Sequence, residues 1–158
     1  MNRTLLYIVL TLLAAAALPA CDDNGCYDNG SAIPLAKFIA SGTTSAAIIV
    51  SPVTVAGIGA PGDSLLLDSV EVSETYLPLR ATTETTAWKF IFDNSIADTI
   101  TFHYKPIPYF VGADCGAMYY FQINSVTTTC HVIDSVKLIK PLVTNSRAVS
   151  LHIFISAE

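Results

Sequence analysis

Hydrophobic and polar side chains alternate along several short segments of this chain, and this alternation constrains its fold more than any other feature. Residues 99–105 place Ile100, Phe102 and Tyr104 on one side of an extended strand, and residues 148–156 do the same with aliphatic side chains. Successive side chains of a β-strand point to opposite faces of the sheet, so these segments predict strands with one buried face. Beyond the N-terminal apolar run, no segment has a helical period with capping residues.

The pattern predicts roughly eight strands, punctuated by Gly, Pro, Asn and Asp. The predicted strands are residues 35–39, 47–55, 69–77, 86–92, 99–105, 117–123, 126–138 in one or two pieces, and 148–156. Short strands at this spacing indicate an all-β fold, a two-sheet antiparallel β-sandwich of the immunoglobulin-like kind. Pro52, Pro78, Pro106 and Pro108 lie within or beside these segments, so we expect them at edges, bulges or strand ends.

The composition excludes two broad classes of protein. Hydrophobic residues make up 52% of the 158 residues and charged residues 13%, which excludes a disordered chain. The net charge is -5 with only eight Lys and Arg, so we predict no nucleic-acid partner, because phosphate binding needs a basic surface.

Residues 1–20 read as an export signal rather than as part of the fold. Arg3 precedes an uncharged apolar run that is shorter than the roughly 20 residues of a spanning helix. The run ends in Leu18-Pro19-Ala20-Cys21, which resembles the lipobox of bacterial lipoproteins, although Pro19 replaces the usual small residue. The resemblance implies cleavage before Cys21 and lipid attachment to its sulfur. An ordinary secretory signal cut after Ala20 is the alternative.

Residues 21–32 form a predicted acidic tether, and residues 33–158 the sandwich domain. The tether contains Asp-Asn-Gly twice and lacks apolar periodicity, which is typical of turns. Acids directly after Cys21 resemble the surface-export signals of Bacteroidota lipoproteins. The implied location is the outer membrane, with the surface-facing and the periplasmic leaflet both left open. The tether lacks the ligand spacing of a calcium loop, so we predict no calcium there.

The cysteines constrain the tether further. If Cys21 carries lipid, three cysteines remain in an oxidising compartment. Neither a hairpin turn at Asn124-Ser125 nor a strand running straight through it would bring Cys115 to Cys130. We therefore predict a Cys26–Cys115 disulfide, with Cys130 a reduced thiol in the core. No C-x-x-C pair is present, and we predict no zinc site.

Two motifs resemble catalytic sequences but lack the context that the chemistry needs. Residues 57–62 match G-x-G-x-x-G, yet no helix is predicted to follow and meet a pyrophosphate. Residues 62–65 spell the nucleophile motif of the GDSL esterases, but no Asp stands three residues before His103, His131 or His152 to orient a base. We predict no catalytic residue and no cofactor, and we disfavour a hydrolase.

An aromatic cluster is the best candidate for a binding surface. Tyr104, Tyr109, Phe110 and Tyr120, with Tyr119 beside them, could stack against a sugar or a peptide. The alternative is that these side chains pack in the core and on the sheet surface.

Four hydroxyl residues follow an Asp and precede an aliphatic residue, namely Ser64, Ser69, Thr99 and Ser135. The pattern resembles the O-glycosylation sequon of exported Bacteroidota proteins, which makes these four hydroxyls candidate glycan acceptors. The alternative is that Asp-Ser/Thr starts strands through Asx-turns.

Several short motifs together resemble a family of uncharacterised Bacteroidota envelope lipoproteins, across most of residues 26–140. They are Leu77-Pro78-Leu79, Asp98-Thr99-Ile100-Thr101-Phe102 with Tyr104, Asp114-Cys115-Gly116, Phe121-Gln122-Ile123 and Ile133-Asp134-Ser135-Val136. Asp114 stands where the family is expected to have Glu. The resemblance implies an envelope location and no established activity. We predict a non-catalytic binding or assembly protein of an outer-membrane complex, with a β-barrel as one partner; the alternative is a glycan- or peptide-binding surface module.

Overall fold

The computed structural model describes residues 32–59, 64–93, 96–112 and 116–156, which form ten β-strands and no helix. The strands are β1 (Leu35–Ala40), β2 (Val50–Ile58), β3 (Leu65–Val72), β4 (Glu74–Tyr76), β5 (Thr85–Phe92), β6 (Ile96–Gly112), β7 (Gly116–Thr128), β8 (Ile133–Leu138), β9 (Leu142–Val143) and β10 (Val149–Ile155). None of the described residues belongs to a helix that could span a lipid bilayer. The predicted signal peptide and Cys21, and the tether up to residue 31, lie outside the described residues.

The strands form two sheets packed face to face, which confirms the predicted all-β sandwich. One sheet has the order β4-β1-β10-β8 and the other the order β3-β2-β5-β6-β7-β9. The pairing is antiparallel with one exception, since β1 and β10 run parallel through the middle of the four-stranded sheet. The first and last described strands are thus hydrogen-bonded neighbours.

The core lies between the sheets and is built by the alternation seen in the sequence. Trp88, Phe90 and Phe92 of β5 are buried on one face, as predicted. Phe90 meets Phe38 of the opposite sheet edge-to-face, with ring centroids 6.3 Å apart. Burying a side chain of this size stabilises the fold by roughly 1.5–3 kcal/mol, so these contacts contribute strongly to holding the sheets together.

Residues 69–77 were predicted to form one strand, and this prediction is wrong in one respect. They contain parts of two strands that belong to different sheets. The chain leaves the six-stranded sheet after β3 and enters the four-stranded sheet as β4. Between them, the carbonyl oxygen of Ser73 accepts a hydrogen bond from the amide of Phe38 at 3.0 Å. A period of two shows which side chains are buried, but it does not show the sheet to which they belong.

The chain runs straight through Asn124-Ser125 as part of β7, so of the two alternatives at that position the continuous strand is correct. β7 therefore joins the predicted strand 117–123 to the start of the predicted strand 126–138, and β8 supplies the rest. Cys130 follows the end of β7 and is exposed, so the prediction that it is a core residue is wrong. Cys26 and Cys115 lie outside the described residues, and their predicted disulfide stays a prediction.

Candidate functional site

The outer halves of β6 and β7 form a two-stranded extension, here called the ribbon, of residues 104–112 and 116–123. β5 pairs with β6 only as far as Thr85 opposite His103, and the amide of Tyr104 then donates to the carbonyl of Glu84. β9 pairs with β7 only at Phe121 and Gln122. Across the described residues beyond these points, the two strands pair only with each other.

Pro106 and Pro108 lie inside β6 and do not end it, because they sit where a missing N–H costs no ladder bond. Amide directions alternate along a strand, and the amide of Tyr104 points toward β5. The nitrogens of Pro106 and Pro108 therefore point to the same side, past the end of β5. The expectation of an edge position is confirmed, and both prolines deny that edge the donors that a further strand would need.

The exposed aromatic residues are divided between the two faces of the ribbon. Tyr109 and Tyr120 share one face, where their rings stack with centroids 4.7 Å apart and planes 19° apart. Their strand neighbours Phe110 and Tyr119 therefore lie on the opposite face. Phe110 has the most exposed of these side chains, at 68%. The predicted stacking residues do not form a single platform.

Tyr104 is a core residue, so its predicted role in ligand stacking is wrong. The side chain is 1% exposed, and its hydroxyl donates to the carbonyl of Arg80 at 2.8 Å and accepts from the amide of Arg80 at 3.1 Å. The hydroxyl also lies 2.8 Å from Oγ1 of Thr86. A buried phenol needs such partners, and here they hold the segment before β5 against the sandwich.

A groove of about 380 Å³ runs between the ribbon and the end of the sandwich. Tyr119 and Phe121 line it from the ribbon, Leu79 from the segment between β4 and β5, and Ile33 from the residues that precede β1. In the sequence, Leu77-Pro78-Leu79 stands out only as a family motif. The structure shows that Pro78 and Leu79 form a wall of this groove, a position that no local pattern predicts.

The carboxylate of Asp98 is fully buried. The sequence-based prediction assigned no buried or structural role to this residue. Its oxygens accept hydrogen bonds from the Thr129 hydroxyl and from the amides of His131, Val132 and Ile133, at 2.8–2.9 Å. Burial alone would raise the pKa of Asp98, but the amides of Ile133 and Val132, with the side chains of Thr129 and His131, lower it to about 2. An Asp in the same alternation as Ile100 and Phe102 is the sequence signal that could have found it.

The four candidate glycan acceptors differ in accessibility. Ser64, Ser69 and Ser135 are exposed, whereas Thr99 is half-buried beside the buried Asp98. Ser69 lies inside β3 with a φ of 49°, where the register between β2 and β3 is irregular, so Asp68-Ser69 sits at a bulge and does not start a strand. Asp98-Thr99 is therefore structural first, and modification of the three exposed serines stays a prediction.

The histidines do not come together. His103 is exposed, with Nδ1 3.4 Å from Oγ1 of Thr85, and His131 lies against Asp98. His152 faces Lys137 and Lys37 across neighbouring strands, and partial burial, then these two charges, lower its pKa. Among the described residues, no three His, Cys, Asp or Glu side chains are grouped to hold a metal ion.

The glycine-rich segment joins two paired strands. β2 ends at Ile58, and the strand β3, rather than a helix, begins at Leu65. The carbonyl of Ser64 accepts a hydrogen bond from the amide of Gly57 at 3.0 Å, which fixes the residue that precedes β3. Residues 60–63 of the two motifs lie outside the described residues.

The two sheets, the ribbon and the groove together define an all-β sandwich with an exposed aromatic extension. The chain belongs to the family of unknown function DUF6452, whose model matches residues 52–155, from β2 to the end of β10. This agrees with the expectation of an uncharacterised domain. No curated protein and no solved structure matches the chain.

Proposed function

We propose that this protein is a lipid-anchored, non-catalytic envelope protein whose sandwich binds an outer-membrane protein, such as a β-barrel, through the ribbon. The lipid anchor rests on Leu18-Pro19-Ala20-Cys21, and two or more acyl chains suffice for stable attachment. The binding role rests on one observation, the large apolar side chains that the ribbon exposes beyond the sandwich. Apolar side chains grouped on a surface mark sites of interaction with another molecule.

Two features favour a protein partner. Ile107, Tyr109, Phe110 and Tyr119 are exposed on a two-stranded element rather than in an enclosed cavity. The adjoining groove is also lined by Ala32 and Ile33, so it opens where the predicted tether enters the domain. A tethered protein that binds here would hold its partner next to the membrane.

Crosslinking in the native membrane tests the proposal. A photoreactive phenylalanine analogue replaces Phe110, and in a matched control it replaces Ile49, which is 64% exposed and follows the far end of β1. We expect a discrete crosslink to one outer-membrane protein from position 110, and its loss when Tyr119→Ser is added. Equal crosslinking from position 49 would contradict the proposal.

A glycan- or peptide-binding module is the second candidate, favoured by the stacked pair Tyr109 and Tyr120. A saccharide or peptide would lie against the exposed side of Tyr109, on the face opposite to Phe110. Loss of ligand binding with Tyr109→Ala, but not with Phe110→Ser, would favour this candidate over the first. The reverse result would favour the protein partner.

A further inference from the structure

A second cavity, of about 180 Å³, lies on the other side of the segment that walls the groove. It opens to solvent on one side and is bordered by the end of β2, the start of β5 and the residues between β4 and β5. Its lining is mainly apolar and includes Ile58, Pro78, Leu79 and Ala87, with Trp88 of β5. Gly57 stands opposite Trp88 in the sheet register and adds no side chain on that face, which leaves space beside the indole.

The indole nitrogen of Trp88 is left without a hydrogen-bond partner. The side chain is 6% exposed, Nε1 is buried, and no acceptor among the described residues lies within reach of it. Buried polar atoms are almost always paired, and a buried Trp N–H usually finds an acceptor. A molecule that enters the adjacent apolar cavity would supply the missing acceptor.

The other polar groups of the lining are placed differently. Oγ1 of Thr86 is engaged with the Tyr104 hydroxyl at 2.8 Å, and Nη1 of Arg80 donates to the carbonyl of Gly59 at 3.3 Å. Arg80 and Ser64 are exposed, so they lie toward solvent rather than in the buried part of the lining. Trp88 is the buried donor that a ligand would meet.

We propose that this cavity binds a small, compact and mainly apolar molecule with a carbonyl or ether oxygen that accepts a hydrogen bond from Trp88 Nε1. An apolar cavity of about 150 Å³ in another protein holds benzene, so this cavity fits a six-membered ring with one substituent. The apolar lining selects the ring, and the indole N–H selects a molecule with an acceptor. The proposal is independent of the ribbon and of the lipid anchor.

The chain has one tryptophan, so its single indole N–H signal in nuclear magnetic resonance reports on this cavity alone. The probes are cyclohexanone and cyclohexane, two rings of the same size with and without an acceptor, added to the purified full chain. We expect saturable binding of both rings and a downfield shift of the indole signal with cyclohexanone only. The proposal would be overturned if cyclohexanone caused no shift. It would also be overturned if, with cyclohexanone bound, the indole proton exchanged rapidly with a bound water, because the acceptor would then be that water.

Two variants separate the hydrogen bond from the cavity. Trp88→Phe removes the donor and keeps an aromatic side chain, so the affinity for cyclohexanone relative to cyclohexane should fall about tenfold, the effect of one hydrogen bond. An unchanged ratio would overturn the proposal. Gly57→Val retains the indole but fills the space opposite it, so it should abolish binding of both rings. Undiminished binding to Gly57→Val would place the probes elsewhere and would overturn the proposal even if Trp88→Phe failed to fold.

Discussion

Asp98 in the six-stranded sheet accepts a hydrogen bond from the backbone amide of Ile133 in the four-stranded sheet, with Oδ2 and the nitrogen 2.9 Å apart. The same carboxylate accepts hydrogen bonds from the amides of His131 and Val132, which lie in the turn that leads into β8. One buried side chain thus satisfies a row of amides that would otherwise lack acceptors. It joins the two sheets at the start of β8 and fixes where that strand begins.

Removing this carboxylate should destabilise the whole domain. Asp98→Ala leaves three backbone amides without an acceptor, and because one unsatisfied buried donor costs about 1–3 kcal/mol, the three together should cost about 3 kcal/mol or more. We expect the free energy of unfolding, measured by urea denaturation, to fall by about that amount. Asp68→Ala, at an exposed acid that also precedes a hydroxyl residue, should change it by less than about 0.5 kcal/mol. Equal effects of the two variants would contradict the role assigned to Asp98.

The low pKa of Asp98 also predicts how stability depends on pH. The folded-state pKa of about 2 lies below the ordinary value of 3.8, so the ionised carboxylate stabilises the fold at pH values above both. This contribution, about 2 kcal/mol, is lost as the pH falls from about 5 to 2, because the unfolded chain takes up the proton first. Urea denaturation at pH 5 and pH 2 should show this loss in the wild type and not in Asp98→Asn.

The hydroxyl of Tyr104 should matter for stability although the ring does not bind a ligand. Tyr104→Phe leaves the amide and carbonyl of Arg80 and the buried hydroxyl of Thr86 without their shared partner, which should lower the free energy of unfolding by about 1–3 kcal/mol. Tyr119→Phe removes a hydroxyl from an exposed ring and should have little effect. Thermal denaturation of the two variants side by side distinguishes these outcomes, and a neutral Tyr104→Phe would contradict the anchoring role.

The thiols test the predicted link between the tether and the domain. Ala32 and Ala117 line the same groove, and Cys26 and Cys115 precede them by six and two residues. An extended chain covers at most about 3.5 Å per residue, so roughly 20 Å of tether is available to reach the partner thiol. A Cys26–Cys115 bond would close a loop of about 90 residues and contribute about 4 kcal/mol in the chain-entropy description.

Alkylation of the unfolded, unreduced mature chain should therefore label one thiol, that of Cys130. A non-reducing digest should contain a peptide pair that joins residues 26 and 115. Three labelled thiols, or a pair that joins 115 to 130, would show that the predicted pairing is wrong.

The anchor can be tested apart from the fold. Cys21→Ala removes the sulfur that would carry lipid and leaves the sandwich sequence unchanged, so the protein should move from the detergent phase to the aqueous phase. Cys130→Ala, at the exposed cysteine of the domain, is the matched control and should partition like the wild type. If Cys21→Ala also partitions like the wild type, the chain is not anchored through that residue.

The sequence allowed much of the fold to be predicted and little of the site. Trp88, Phe90 and Phe92 were assigned to the core from their spacing alone, and the structure confirms it. The same spacing put Tyr104 inward, yet its chemistry suggested a ligand-stacking residue. The structure shows that Tyr104 belongs to the core, and sequence spacing could not show this because the partners of its hydroxyl lie 18 and 24 residues earlier in the chain.

By itself, the sequence determined the all-β class, the buried face of most strands and the candidate export signal, because each depends on neighbouring residues. Only the tertiary structure decided that β1 lies parallel to β10, that residues 69–77 divide between two sheets, and that the aromatic residues occupy both faces of the ribbon. It also brought Asp98 to the amides of residues 131–133. Strand pairing and polar satisfaction depend on residues that are distant in the chain, and a period of two along one strand carries no information about them.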